Sequence, residues 1–115
     1  ALLREEYQKR LAVHGLRIRP DIILHEPFDP GRHRGRNDGN HAVMELKRRA
    51  TPGTATDAFM SLVAMIDTLN YAVGVFINID SPETWADAVP ETHRARIVCL
   101  AVHLDANGEP QVVRG

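Results

Sequence analysis

Apolar residues recur at helical spacing at the start of the chain. Within residues 1–14, Leu3, Tyr7 and Leu11 fall on one stripe, which is typical of a helix that packs one side on a core. Gly15 follows where the pattern stops, and glycine is a common helix terminator. We therefore expect a helix over 1–14.

The next segments predict two strands separated by a polar loop. Residues 16–25 (LRIRPDIILH) alternate and then become apolar, which predicts a strand, and Pro20 indicates an edge or a bulge in it. Residues 26–41 hold prolines, glycines and arginines with almost nothing apolar, so they predict a long loop or a mobile hairpin tip. Residues 42–48 (AVMELKR) predict the second strand.

The clearest helix pattern covers residues 54–70. Thr54 and Asp57 predict a capping pair at its start. Seven apolar residues at helical spacing predict its buried face: Ala55, Ala58, Phe59, Leu62, Met65, Ile66 and Leu69. The nearly continuous apolar run that follows, residues 71–79 (YAVGVFINI), predicts a strand buried on both faces.

The last third of the chain predicts a short helix and a hairpin. A serine-proline pair at 81–82 favours a helix start, and the helix is expected to run to about Val89. Two strands should follow at 95–104 and 111–114, because the DANGEP segment between them contains an Asn-Gly turn signal. The order α-β-β-α-β-α-β-β predicts a mixed sheet with helices, an α/β sandwich.

Composition and charge limit the possible functions. With 115 residues and 43% hydrophobic content, the chain is long enough for a single domain over 1–115 and too short for two. Lys and Arg total 14 against 15 Asp and Glu, so a polyanion would need a local basic patch. The single cysteine, Cys99, lies in an apolar run, which predicts a small buried side chain in a reduced compartment, by default the cytoplasm. No apolar run approaches the roughly 20 residues of a membrane span.

Three ionisable residues of the two predicted strands point to a metal site. Glu45 and Lys47 share one face of their strand, about 6.6 Å apart along it, while Leu46 faces the opposite layer. Asp21 follows Pro20 in the neighbouring strand, where a carboxylate is costly without a cation or metal partner. If the strands pair as a hairpin, Asp21 and Glu45 come together. Two carboxylates with carbonyl oxygens and waters suit Mg²⁺ or Mn²⁺.

The Pro-Asp pair at 20–21, followed after a spacer by Glu45-Leu46-Lys47, resembles the PD-(D/E)xK motif of the restriction-endonuclease-like nuclease superfamily. The resemblance covers about residues 1–80. It implies an α/β fold with a restriction-endonuclease-like mixed sheet flanked by helices, in which an α-β-β-α-β core precedes a C-terminal helix and a β-hairpin. It also implies that Asp21 and Glu45 bind the metal, with Leu46 between the motif residues completing the metal set, and that Lys47 assists the attacking water.

Many members of that superfamily also carry a glutamate on the first helix that faces the site. At about 100° per residue, Glu6 falls between Leu2 and Leu3 at the margin of the apolar stripe, whereas Glu5 points almost opposite to it. The resemblance therefore implies Glu6 as an auxiliary catalytic acid.

Arginines near the motif are candidates for nucleic-acid contacts. Arg32, Arg34 and Arg36 lie in the loop, and Arg48 and Arg49 lie beyond the lysine of the triplet. All five are able to contact phosphates, and they are equally typical of a solvated flexible tip. The sequence predicts a Mg²⁺-dependent (or Mn²⁺-dependent) endonuclease-like phosphodiesterase that hydrolyses DNA. Because so short a chain presents little DNA-binding surface, a homodimer or a place in a larger protein is expected.

Other interpretations stay open. Glu45 and Lys47 alone are typical of an ordinary ion pair on an exposed strand. Near-neutral charge and small size also suit a non-catalytic DNA-binding or assembly module of the same fold, and a metal hydrolase of small phosphoesters is a third possibility. His25 and His41 flank the loop, but no histidine spacing matches a structural zinc set, so most histidines are expected at the surface or in the core.

Overall fold

The computed structural model describes residues 20–27, 29–35 and 38–115. Several sequence predictions lie outside these residues: the helix over 1–14 with Glu6, the first part of the strand predicted at 16–25, and Arg36 of the loop.

The described residues form a five-stranded mixed sheet with one α-helix, which confirms the α/β class. The strands are β1 (Ile22–His25), β2 (Asn40–Arg48), β3 (Val73–Ile79), β4 (Ile97–Leu104) and β5 (Pro110–Arg114). They lie side by side in chain order. β3 is parallel to both β2 and β4, while β1 and β5 are antiparallel to their neighbours. In this part of the chain, no helix combines the length and apolar character needed to cross a membrane.

β1, the loop after it and β2 form the hairpin that the polar segment predicts. The register pairs Ile22 with Met44, and the Glu26 N–H donates to the Gly39 carbonyl at 2.8 Å across the base of the loop. β1 is an edge strand of the described sheet, in agreement with the position of Pro20 just before it.

The helix, α1, spans Pro52–Leu69 and begins two residues before the predicted start. Thr51 is its N-cap: the Thr51 hydroxyl accepts from the Thr54 N–H, and the Thr54 hydroxyl accepts from the Thr51 N–H. The predicted capping pair of Thr54 with Asp57 is therefore wrong. Thr54 is the inner partner of a capping box, and the proline after Thr51 suits the first helical position.

α1 covers one face of the sheet and forms the core with it. All seven residues predicted for its buried face are buried. The Phe59 ring meets the Phe76 ring of β3 edge to face, with centroids 4.9 Å apart. Gly74 of β3 lies under the helix, since a Cβ there would stand 3.3 Å from the Leu62 Cβ. Cys99 is buried in this core as predicted, and its burial raises the pKa of the thiol to about 11.

β3 is fully buried on one face only. Its buried residues, Gly74, Phe76 and Asn78, alternate with the partly exposed residues at 73, 75 and 77. The prediction of burial on both faces is therefore wrong, because α1 lies against the Phe76 side and the other side keeps partial exposure. The apolar run still pairs with parallel strands on both edges, as such runs usually do.

A short 3₁₀ turn, Ala86–Ala88, replaces the helix predicted from Ser81 to about Val89, and a second one, Glu91–His93, follows it. The Ser81 hydroxyl accepts from the Glu83 N–H and so makes a local turn instead of a helix cap. Trp85 then adopts a φ of 59°, a left-handed conformation that a continuous right-handed helix does not contain. The predicted helix is therefore wrong.

β4 and β5 form the hairpin predicted from the Asn-Gly pair. The Asp105 carboxylate accepts from the N–H groups of Asn107 and Glu109. Gly108 takes a φ of 77°, which glycine adopts without the steric cost that other residues meet.

Candidate functional site

Glu45 and Lys47 lie on the face of the sheet that α1 covers. Glu45 is in register with Phe76, and Lys47 is in register with Asn78. Because residues in register point to the same face and Phe76 contacts Phe59, this is the helix side. Glu45 is only 6% exposed and Lys47 is partly buried. An ordinary surface ion pair requires an exposed strand, and β2 is not exposed at this point.

Asp21 lies beside the same part of β2. Since Ile22 pairs with Met44, one further step of the antiparallel register places Asp21 opposite Glu45. The Asp21 Oδ2 atom accepts a hydrogen bond from the Leu46 N–H at 2.7 Å, and the residue is partly buried. The hairpin therefore brings Asp21 to the Glu45 segment, as the sequence predicts.

The site offers oxygen donors that fit a hard divalent cation. Asp21 and Glu45 provide carboxylates, and Leu46 provides a backbone carbonyl. Mg²⁺ keeps several waters and is usually held by only one or two carboxylates, so this donor set suits it. Within 20–27, 29–35 and 38–115, no three His, Cys, Asp or Glu side chains gather into a metal-binding group. A closed cage of the structural zinc type is therefore not built from those residues.

Asn78 stabilises the segments next to the site. The sequence patterns did not predict this role. Asn78 is fully buried on β3, its Oδ1 accepts from the Ala50 N–H at 2.9 Å, and its Nδ2 donates to the Glu83 carbonyl at 2.8 Å. These bonds tie the segment after β2 to the segment after β3, beside Lys47. A polar residue inside the apolar run YAVGVFINI was the available signal, because a buried amide must be hydrogen-bonded.

A basic pair follows the site at the end of β2. Arg49 donates from Nε to the Asp80 Oδ2 atom at 2.8 Å, and Arg48 donates from Nη2 to the same oxygen at 3.4 Å. The two arginine side chains are 71% and 67% exposed, and that of Asp80 is 44% exposed. The predicted phosphate-contacting residues Arg48 and Arg49 are therefore together at the surface. Asp80 was not predicted with them, although an acid directly after a parallel strand falls at the same edge of the sheet.

The loop arginines lie at the other end of the hairpin. Asn40 begins β2 at the loop, and Glu45 is five residues further along, roughly 17 Å away at the usual rise of a strand. Arg32 donates to Glu26 at 3.4 Å and Arg34 is exposed, while Arg36 is outside the described residues. The structure therefore does not bring Arg32 and Arg34 to the carboxylates.

Glu26 organises the loop end. Its carboxylate meets His33 Nε2 at 3.0 Å and His41 Nε2 at 3.3 Å, and these bonds lower its pKa. The His33 Nδ1 atom accepts from the Asp29 N–H, so Nε2 carries the proton and donates to Glu26. His25, also near the loop, is buried and bonds Asn40 through Nδ1. His25, His33 and His41 all make hydrogen bonds within the loop region.

Comparison with protein-family models, with curated proteins and with solved structures finds no match to this chain. The chemistry of its own residues is therefore the basis for a functional proposal.

Proposed function

We propose that the protein is a Mg²⁺-dependent phosphodiesterase that hydrolyses DNA. In this proposal Asp21 and Glu45 hold the metal, Lys47 orients the attacking water, and Glu6 is an auxiliary acid. The fold assigned with it is that of the restriction-endonuclease-like nucleases. The order β-β-α-β of the described residues agrees with what the motif resemblance implies after a first helix.

One observation carries the proposal: the register of the β1–β2 hairpin. It sets Asp21 opposite Glu45 and leaves Lys47 on the same face as Glu45. The Leu46 N–H bond then fixes the Asp21 carboxylate against this segment. Asp21, which is 24 residues before Glu45 in the sequence, thus lies beside Glu45 and Lys47 on one short stretch of sheet.

The chemistry follows from the residue types. A bound Mg²⁺ would polarise the phosphodiester and favour deprotonation of a water. Asp21 and Glu45 supply the negative charge that holds such an ion. In this proposal the Lys47 ammonium orients a water and offsets negative charge that develops on phosphate.

The exposed pair Arg48 and Arg49 supports DNA as the substrate. Both arginines lie within four residues of Glu45 in the sequence, and their side chains are largely exposed. Arginine matches phosphate geometry well, and such contacts position a nucleic acid without reading its sequence.

The test is plasmid cleavage with Mg²⁺. We expect nicking by the unaltered protein and its loss in Lys47→Ala, because that variant lacks the ammonium beside the carboxylates. Arg114→Ala, which removes an exposed cation from β5, is the control and should nick at the normal rate. Nicking that persists unchanged in Lys47→Ala would overturn the role given to this lysine.

A non-catalytic DNA-binding or assembly module of the same fold is the second candidate. The bond from the Leu46 N–H to Asp21 favours it, since a strand-end carboxylate that satisfies a backbone donor has a purely structural use. Calorimetric titration with Mn²⁺ separates the two candidates. If the protein is a nuclease, it should bind Mn²⁺, and the Asp21→Asn variant should not. If it is a non-catalytic module, the titration should show no heat of Mn²⁺ binding that depends on the carboxylates.

A further inference from the structure

We propose that Asp80 restrains DNA binding by occupying the arginine pair that a backbone phosphate would otherwise take. This inference rests on the proposed function. It is based on the observation that a single oxygen of Asp80 accepts hydrogen bonds from both Arg48 and Arg49.

Carboxylate and phosphate are competing partners for a guanidinium group. Each accepts the same N–H donors with similar geometry, and each neutralises the same charge. With Asp80 in place, the cluster of Asp80, Arg48 and Arg49 carries one net positive charge instead of two. A phosphate that approaches it must displace the carboxylate or share the donors with it.

The carboxylate bonds are weak enough to be displaced. All three side chains are exposed, and exposed ion pairs contribute little because water and salt screen them. The Arg48 contact, at 3.4 Å, is also long for a charge-assisted bond. Asp80 therefore lowers the affinity for DNA without abolishing it.

Backbone hydrogen bonds fix the positions of Arg49 and Asp80 independently of the Asp80 carboxylate. The Arg49 N–H donates to the Ile79 carbonyl at 2.9 Å, and the Asp80 N–H donates to the Val102 carbonyl at 2.7 Å. Arg49 and Asp80 both adopt left-handed backbone conformations, with φ of 49° and 63°. Asparagine tolerates that conformation as well as aspartate does, so Asp80→Asn removes the charge and keeps the backbone conformation of this segment.

The opposite role for Asp80 would be to position the two arginines to bind phosphate. The two roles predict opposite changes in DNA affinity when the carboxylate is removed. If Asp80 positioned the two guanidinium groups, its removal would disorder them and weaken DNA binding. If it competes, its removal strengthens binding. The sign of the change in affinity therefore decides between the two roles.

The experiment measures binding of a short fluorescent DNA duplex by anisotropy in EDTA, where no cleavage occurs. Asp80→Asn should bind about five-fold more tightly than the unaltered protein at low salt, and the gain should shrink as NaCl rises. The slope of log affinity against log salt should steepen by about one, as expected when one more phosphate is neutralised. In an Arg48→Ala/Arg49→Ala background, Asp80→Asn should give no gain.

The matched control is Asp67→Asn on α1, which also removes an exposed carboxylate that is bonded to a side chain, here the His93 Nε2 atom at 2.8 Å. It should leave the affinity within about two-fold. Equal or weaker binding by Asp80→Asn overturns the inference, as does an equal gain from Asp67→Asn or a gain that survives without the arginines. If the unaltered protein binds and nicks DNA through Lys47 but Asp80→Asn gives no gain, only this inference fails. If no variant binds DNA, both proposals fail.

Discussion

The two ends of the β1–β2 hairpin both concentrate charged residues, yet they are built differently. At the loop end, Glu26 is bonded to His33, His41 and Arg32, so acid and base satisfy one another at the surface. At the other end, the Asp21 carboxylate meets a backbone N–H, and Glu45 is buried in the sheet.

Charge density along the sequence therefore does not locate a site. The loop holds most of the arginines of the motif region, but the Glu26 carboxylate is already bonded to Arg32, His33 and His41. At the Asp21 end, the sheet fixes the carboxylates of Asp21 and Glu45 in place. A reactive set is therefore expected where backbone geometry positions the charges.

The largest contrast is expected in DNA cleavage. Asp21→Asn should lower the rate of Mg²⁺-dependent nicking by at least about 100-fold, because it removes a negative ligand while keeping the shape of the side chain. Glu26→Gln, the same change at the loop end, should alter it by less than about three-fold. Single-turnover nicking rates measure both. Equal losses in the two variants would show that the ends are not functionally distinct.

The next contrast is in stability. Asn78→Ala should lower the free energy of unfolding by about 2 to 4 kcal/mol, because it leaves the Ala50 N–H and the Glu83 carbonyl without a partner in a partly buried setting. Asp38→Ala in the exposed loop should cost less than about 1 kcal/mol. Urea denaturation measures both values. A loss under about 1 kcal/mol for Asn78→Ala would mean that water replaces the amide readily.

A smaller effect tests the cap at the start of α1. Thr51→Ala should destabilise the protein by about 1 kcal/mol, since it removes the N-cap of the capping box. Asp57→Asn should change the stability by less than about 0.5 kcal/mol, because Asp57 is exposed and is not the cap. A larger loss of stability in Asp57→Asn than in Thr51→Ala, measured by thermal or urea unfolding, would instead support the capping pair of Thr54 and Asp57 expected from the sequence.

The smallest effect is a pH dependence at the loop end. The His33 hydrogen bond, and then the His41 bond, lower the pKa of Glu26 below its usual 4.5. A carboxyl whose folded pKa is depressed contributes stability above its unfolded pKa, and that stability is lost as the pH falls through the folded pKa. NMR titration should therefore place the Glu26 midpoint below 4.5, and His33→Gln should move it upward. A midpoint at or above 4.5 in the unaltered protein would contradict the geometry of this cluster.

Much of the fold was predictable because periodicity reports burial directly. The apolar face of α1 was correct at every position, since one helix face packs on one sheet. The β4–β5 hairpin was correct because the Asn-Gly pair marks a turn, and Gly108 takes the positive φ that this turn contains. The helix predicted from Ser81 to about Val89 was not correct, because the Ser81 hydroxyl closes a local turn with the Glu83 N–H and Trp85 takes a left-handed φ, and a serine-proline pattern reports neither feature.

The candidate site was predictable in part for a similar reason. Alternation along a strand sets Glu45 and Lys47 on one face, and hairpin pairing brings Asp21 alongside. Asn78 and Asp80 were missed because they bond to residues in other segments of the chain. Only the parallel pairing of β2 with β3 places Asn78 beside Lys47 and sets Asp80 against Arg49. The separation of Arg32 and Arg34 from the carboxylates likewise follows from the hairpin register and not from their spacing in the chain.

The most direct test of the account is a crystal structure of the protein soaked in Mn²⁺, with the ion located by anomalous scattering. We predict one ion bound by carboxylate oxygens of both Asp21 and Glu45, at about 2.0 to 2.2 Å from each. An ion at Glu26 instead, or no ion near Asp21 and Glu45 at millimolar Mn²⁺, would contradict the central claim.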